Sequence, residues 1–137
     1  MSLVFPVPTF LLPASVDNKY YLSDVCVKRI QNIKTRAKLK GYGYDECILM
    51  PEDIYKNLDA SYYKGPDGKR GVIQDYKGLR MLTERECAKL QGFPNNFTLP
   101  VSKTQTYKQF GNTITVNILE EIFKKLLTGE RLLNFGE

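Results

Sequence analysis

The stretch Arg80-Met81-Leu82-Thr83-Glu84-Arg85-Glu86-Cys87-Ala88-Lys89-Leu90-Gln91-Gly92-Phe93-Pro94 spells out a short helix together with both of its ends. Thr83-Glu84-Arg85-Glu86 fits a capping box: the threonine oxygen accepts a free amide of the first turn, and the glutamate three residues on reaches back to the cap. The helix is expected to run to Gln91. Gly92 then supplies a C-terminal stop, and Pro94 cannot continue the ladder.

Downstream, residues 95 to 111 read as loop, and a final helix is expected to begin near Thr113 to Thr115. Ile114, Ile118, Ile122 and Leu126 recur four apart, Leu119, Phe123 and Leu127 widen the stripe, and Gly129 closes it. Glu120 with Lys124 and Glu121 with Lys125 add i,i+4 ion pairs on the polar side. So wide an apolar face predicts packing against more than one neighbour. The polar cluster Gly111-Asn112-Thr113 is expected at the positive N-terminal end of this helix, as either an ordinary cap or an anion-binding turn.

Upstream, Ser23 is a plausible N-cap, and Val27, Ile30, Ile33 and Ala37 recur at helical spacing until Lys40-Gly41. Between Gly41 and Arg80 the pattern changes to short β-prone runs, Cys47–Met50, Ser61–Tyr63 and Gly71–Ile73, separated by Pro and Gly. Residues 61 to 73 are expected to form a hairpin about Asp67-Gly68, because such turns need positive φ and glycine supplies it. Pro6, Pro8 and Pro13 make residues 1–16 an extended linker, since each fixes its own φ and disfavours helix before it.

The chain has 137 residues with 20 Lys+Arg against 15 Asp+Glu, so one basic domain-sized unit is expected. It contains no histidine, which excludes Ser-His and Cys-His couples and, with Cys26, Cys47 and Cys87 far apart, a four-ligand zinc site. The apolar run Leu3–Leu12 is broken by prolines and lacks a preceding basic residue, so it fits neither a spanning helix nor a signal peptide; no membrane contact and a cytoplasmic location are expected. Charge is uneven: Lys28 to Lys40 holds six basic residues and no acid. Such a stripe is either a solvated helix face or a surface for a polyanion. The tyrosines of the same half, among them Tyr20-Tyr21, Tyr42, Tyr44 and Tyr62-Tyr63, suit core packing better than base stacking.

The Arg80–Pro94 stretch, followed by Tyr107-Lys108-Gln109-Phe110-Gly111-Asn112-Thr113, closely resembles the last two motifs of the DNA cytosine-5 methyltransferases, in the family's order and with a family-like gap. Val16–Ser23 and Ala60–Lys64 resemble the stretch between the eighth and ninth motifs, which holds the target recognition domain. The resemblance implies an α+β fold. Residues 17–79 would be a small or partial recognition domain with short strands, a hairpin and a basic helix. Residues 80–137 would be the motif region, whose last helix packs in the family on a Rossmann-like catalytic domain.

The implied activity is methyl transfer from S-adenosylmethionine to carbon 5 of a cytosine flipped out of duplex DNA. Phe93, Asn112 and Thr113 match the positions that lie against the cofactor. Arg80, Arg85, Glu86 and Gln91 match the ninth motif, whose role is structural. In the family a Pro-Cys cysteine attacks the base, but the three cysteines here follow Val25, Glu46 and Glu86. No catalytic residue is therefore assigned, and the chain is expected to be inactive without an N-terminal catalytic domain or subunit.

Lys64, Lys69, Arg70 and Gln74 are the expected DNA contacts. Where many relatives have Thr-Leu before the Tyr-Tyr pair, this chain has Asn57-Leu58. Self-association of the chain by itself is expected through the apolar last helix. The alternative is a non-catalytic basic DNA-binding module or degenerate remnant; a pure protein-interaction domain ranks last, because it leaves Gly111-Asn112-Thr113 unused.

Overall fold

The computed structural model describes residues 11, 16–41, 48–50, 53, 55, 58–66 and 70–129. Helix α1 (Asp24–Leu39) follows the Ser23 cap and ends before Gly41, whose φ of 68° suits a residue without Cβ. Strands β1 (Ile48–Leu49), β2 (Val72–Gln74) and β3 (Leu79–Arg80) form one sheet in that order, β1 parallel and β3 antiparallel to β2. Successive side chains of a strand point to opposite faces. Val72, beside its partner Ile48 and with Leu79, packs on Ile30 of α1. Ile73, beside its partner Leu49, faces a larger core of Tyr55, Leu58, Tyr62, Leu82, Tyr107 and Phe110. Helix α2 (Glu84–Leu90) adds Cys87, Ala88 and Leu90 to that core, and α3 (Lys103–Gly111) and α4 (Val116–Thr128) follow. The mixed α+β reading holds at this level.

Three expectations are corrected. The hairpin is not Ser61 to Ile73: Tyr62–Lys64 forms a 3-10 turn, and β2 pairs instead with β3 through Asp75–Gly78. Asp67-Gly68 and Lys69 lie outside the described residues. Tyr62 is pulled out of a strand because its hydroxyl bridges buried backbone, donating to Gly71 O at 3.0 Å and accepting from Leu82 N–H at 2.8 Å. The real turn uses Asp75 Oδ1, which accepts from Lys77 N–H and Gly78 N–H at 2.9 and 3.1 Å.

Residues 103–111, expected as loop, are helical. Ser102 caps α3, and Thr106, Tyr107 and Phe110 bury one face of a segment otherwise rich in Lys, Thr and Gln. So few apolar positions give a weak periodic signal, and tertiary burial decides.

Gly111-Asn112-Thr113 does not open the last helix. Gly111 is the final residue of α3 and Asn112 its C-cap, whose N–H donates to Lys108 O and Gln109 O at 3.1 Å. The cluster sits at the negative end of one helix dipole, and α4 has its own N-cap, Thr115. Gly111 is dictated by packing: a Cβ there would lie 2.2 Å from both Asp59 C and Ala60 N. Helix α3 is thereby pressed against the segment that carries the Tyr62-Tyr63 pair.

Candidate functional site

Arg80 pairs with Ile73 across the sheet and so points to the α2 side. Its side chain is 2% exposed and that of Glu86 is 0% exposed. Two charges so deeply buried are tolerated only when every lone pair and proton is answered. Arg80 Nη1 and Nη2 donate to the two oxygens of Glu86 at 2.8 and 2.9 Å, Nε donates to Asp75 Oδ2 at 2.8 Å, and Nη1 also reaches Met81 O at 3.2 Å. Glu86 Oε2 accepts from Thr83 N–H at 2.8 Å while Thr83 Oγ1 accepts from Glu86 N–H, which completes the capping box.

Tyr21 closes the far side by donating to Asp75 Oδ2 at 2.8 Å. Burial opposes ionisation of Asp75, but the bonds from Tyr21, the Lys77 amide and Arg80 outweigh it and hold its pKa below the ordinary aspartate value. Burial, then the bond to Asp75, pushes the Tyr21 phenol up to about 12. One ion network thus joins the N-terminal segment, the β2–β3 turn and α2.

Gln91, the C-cap of α2, gathers the second motif. Its Nε2 donates to Phe110 O at 2.8 Å, its Oε1 accepts from Thr115 Oγ1 at 3.0 Å, and its backbone carbonyl accepts from Val116 N–H at 2.9 Å. Gly92, with φ of 82°, lets the chain pass Asn117 and Val116; a Cβ there would meet Asn117 Oδ1 at 2.7 Å. Phe93 follows, half-buried, with its ring 5.4 Å from that of Phe110 and 4.6 Å from that of Phe97. Arg85 steadies this wall by donating to Phe97 O at 2.6 Å.

Thr113 N–H donates to Phe110 O at 3.2 Å and its hydroxyl to Gln109 O at 2.7 Å. Asn112 is exposed, and among the described residues its side-chain amide makes no hydrogen bond. The joint of α2, α3 and α4 therefore carries a half-buried aromatic ring, Phe93, and an exposed side-chain amide, Asn112. A half-buried ring and an exposed amide are side chains of the kind that suit a ligand with one flat apolar part and one polar end.

The expected DNA contacts are placed less uniformly. Lys64 is exposed. Arg70 is half-buried and donates to Gly65 O at 3.0 Å and Ser61 Oγ at 2.5 Å, with Asp59 Oδ1 3.6 Å from its Nε. Gln74 Nε2 donates to the carbonyl of Asp75 at 2.9 Å. Asp59, which sequence reading overlooked, organises this segment by accepting from the Ser61 amide and hydroxyl. Its Asp-x-Ser spacing is the signal that could have found it. On α1, Lys28, Arg29, Lys34, Arg36, Lys38 and Lys40 are all exposed. Cys87 is fully buried, and desolvation followed by the nearby Glu86 pushes its thiol well above the ordinary value, which disfavours the reactive thiolate.

The sequence matches the C-5 cytosine-specific DNA methylase family over residues 9–128. The chain belongs to that family. It is 43% identical over 119 residues to the type II methyltransferase M1.ScrFI of Lactococcus lactis subsp. cremoris, covering 85% of this chain and 30% of that protein. It is 38% identical over 120 residues to the type II methyltransferase M.DsaV of Dactylococcopsis salina, covering 86% and 34%. The chain thus spans about a third of these relatives. The fold is shared with the Entamoeba histolytica methyltransferase EhMeth, with a TM-score of 0.68 at 20% identity over 90% of this chain and 40% of the other. The Dnmt2 methyltransferase of S. pombe gives 0.67 at 19% identity over 91% and 41%. Among the described residues no helix is long and apolar enough to cross a membrane.

Proposed function

We propose that this chain is the C-terminal portion of a DNA (cytosine-5-)-methyltransferase, which moves a methyl group from S-adenosylmethionine to carbon 5 of cytosine in duplex DNA. Residues 17–79 serve target recognition, and residues 80–137 complete the cofactor site. The observation that carries this reading is the convergence of both family motifs on Gln91, in a chain that matches the family along most of its length. S-adenosylmethionine, when bound, supplies a methyl group activated by its sulfonium. Phe93 gives its flat part a wall, while Asn112 and Thr113 face its amino-acid end. Arg80, Arg85, Glu86 and Gln91 position these groups without touching the reacting atoms.

Lys64, Lys69, Arg70 and Gln74 lie at the DNA, Arg70 partly through the segment it braces. The attacking cysteine comes from an N-terminal catalytic domain or subunit, since Cys87 is sealed in the core. That partner covers α4, and without it the exposed face drives self-association. The test mixes this chain with a Pro-Cys-bearing N-terminal portion from the same source and follows tritiated methyl transfer to duplex DNA. Activity appears only on mixing, and Asn112→Ala raises KM for S-adenosylmethionine. A complex that forms yet transfers no methyl overturns the proposal.

A further inference from the structure

Tyr63 is half-buried beside the fully buried Tyr62, and two ammonium groups approach its ring. Lys64 Nζ lies 5.9 Å from the ring centroid and Lys108 Nζ, from α3, lies 5.2 Å from it. The aromatic face holds both cations in place. Among the described residues neither lysine has a carboxylate within ion-pair distance, and Asp59 is engaged by Arg70 and Ser61. The two ammoniums are within about 11 Å of each other, about one Debye length in 0.1 M salt, so their repulsion is weak and leaves both charges available to a shared counter-charge. One anion within reach of both ammoniums would pair with each of them.

We propose that Lys64, Lys108 and Tyr63 clamp one backbone phosphate of the duplex, with Lys108 as a DNA contact supplied by the motif region and not by the recognition segment. This rests on duplex DNA being the substrate. The clamp shares a rigid element with the cofactor residues, because Lys108 O accepts the amide of Asn112 at 3.1 Å. A phosphate held there therefore fixes the same helix end that carries Asn112 and Thr113.

The experiment measures binding of the full chain, alone and with its catalytic complement, to a short labelled duplex across a potassium chloride series. Lys108→Gln is expected to weaken binding several-fold at low salt, whatever the sequence, and to flatten the slope of log K against log salt by about 0.9 for each phosphate no longer neutralised. Lys108→Arg keeps the wild-type slope. The Lys64→Gln/Lys108→Gln double variant loses less than the product of the two single losses, because both grip one phosphate. Weaker binding with an unchanged slope marks Lys108 as packing only and overturns the proposal. An unchanged affinity in Lys108→Gln, with the wild type bound, also overturns it while duplex DNA stands as substrate. Absence of any salt-dependent duplex binding by the wild type overturns both readings.

Discussion

Helices α2 and α4 invert the relation between sequence pattern and burial. Helix α4 has the most regular apolar spacing in the chain, yet none of its residues is buried, and Phe123, Leu126 and Leu127 are 58%, 58% and 86% exposed. Helix α2 is only seven residues long and carries Glu86 on its inner face, yet Glu86, Cys87, Ala88 and Leu90 are all buried. Periodicity tells which face of a helix is apolar; it does not tell what covers that face. Glu86 of α2 is buried because Arg80 arrives from β3 with a matching fork, whereas α4 meets no such partner among the described residues.

The sharpest way to break this contrast is Glu86→Ala. It would strand the Arg80 guanidinium in the core and is expected to cost about 3–5 kcal/mol in urea unfolding. A loss below about 1 kcal/mol would show that the ion network is dispensable. Gly111→Ala comes next, since its Cβ would strike the backbone at Asp59–Ala60. About 3 kcal/mol is expected from forced separation of α3 and the Tyr62-Tyr63 segment. An unchanged melting curve would refute that contact.

Tyr21→Phe removes one bond to Asp75 and is expected to cost about 1 kcal/mol. The same variant should alter acid sensitivity in a defined direction. Asp75 has a depressed folded pKa, so its contribution is complete above the unfolded value of 3.8 and is lost as pH falls through the folded value. Removing the Tyr21 bond raises that folded value and shrinks the acid-dependent part, which unfolding from pH 7 to pH 2 (roughly the window of a paired carboxylate) would measure.

Leu127→Glu is the smallest change for stability, expected within about 0.5 kcal/mol because the site is exposed. It should nevertheless turn an associating chain into a monomer by light scattering. A wild-type chain that is already monodisperse and monomeric would remove self-association from the account of α4.

The legible parts of this protein are those in which neighbouring residues supply the physics. The Thr83–Glu86 capping box, the Gly92 stop, the start and end of α1, and the Gly129 end of α4 all stand where the sequence put them. Each depends on backbone conformation and partners within a turn or two of chain, so residue type and spacing are enough. At the site, the clasp residues were readable as a family pattern in Arg80–Pro94 and Tyr107–Thr113. Their geometry was not, because Gln91 Nε2 finds Phe110 O only after two helices meet.

Tertiary structure alone decided the remainder. It made residues 103–111 helical on the strength of three buried side chains, and drew Tyr62 out of a hairpin to bridge Gly71 and Leu82. It also moved Gly111-Asn112-Thr113 from the start of one helix to the end of another. In each case the deciding partner is distant in sequence, and a long-range contact that satisfies a buried polar group outweighs weak local preference.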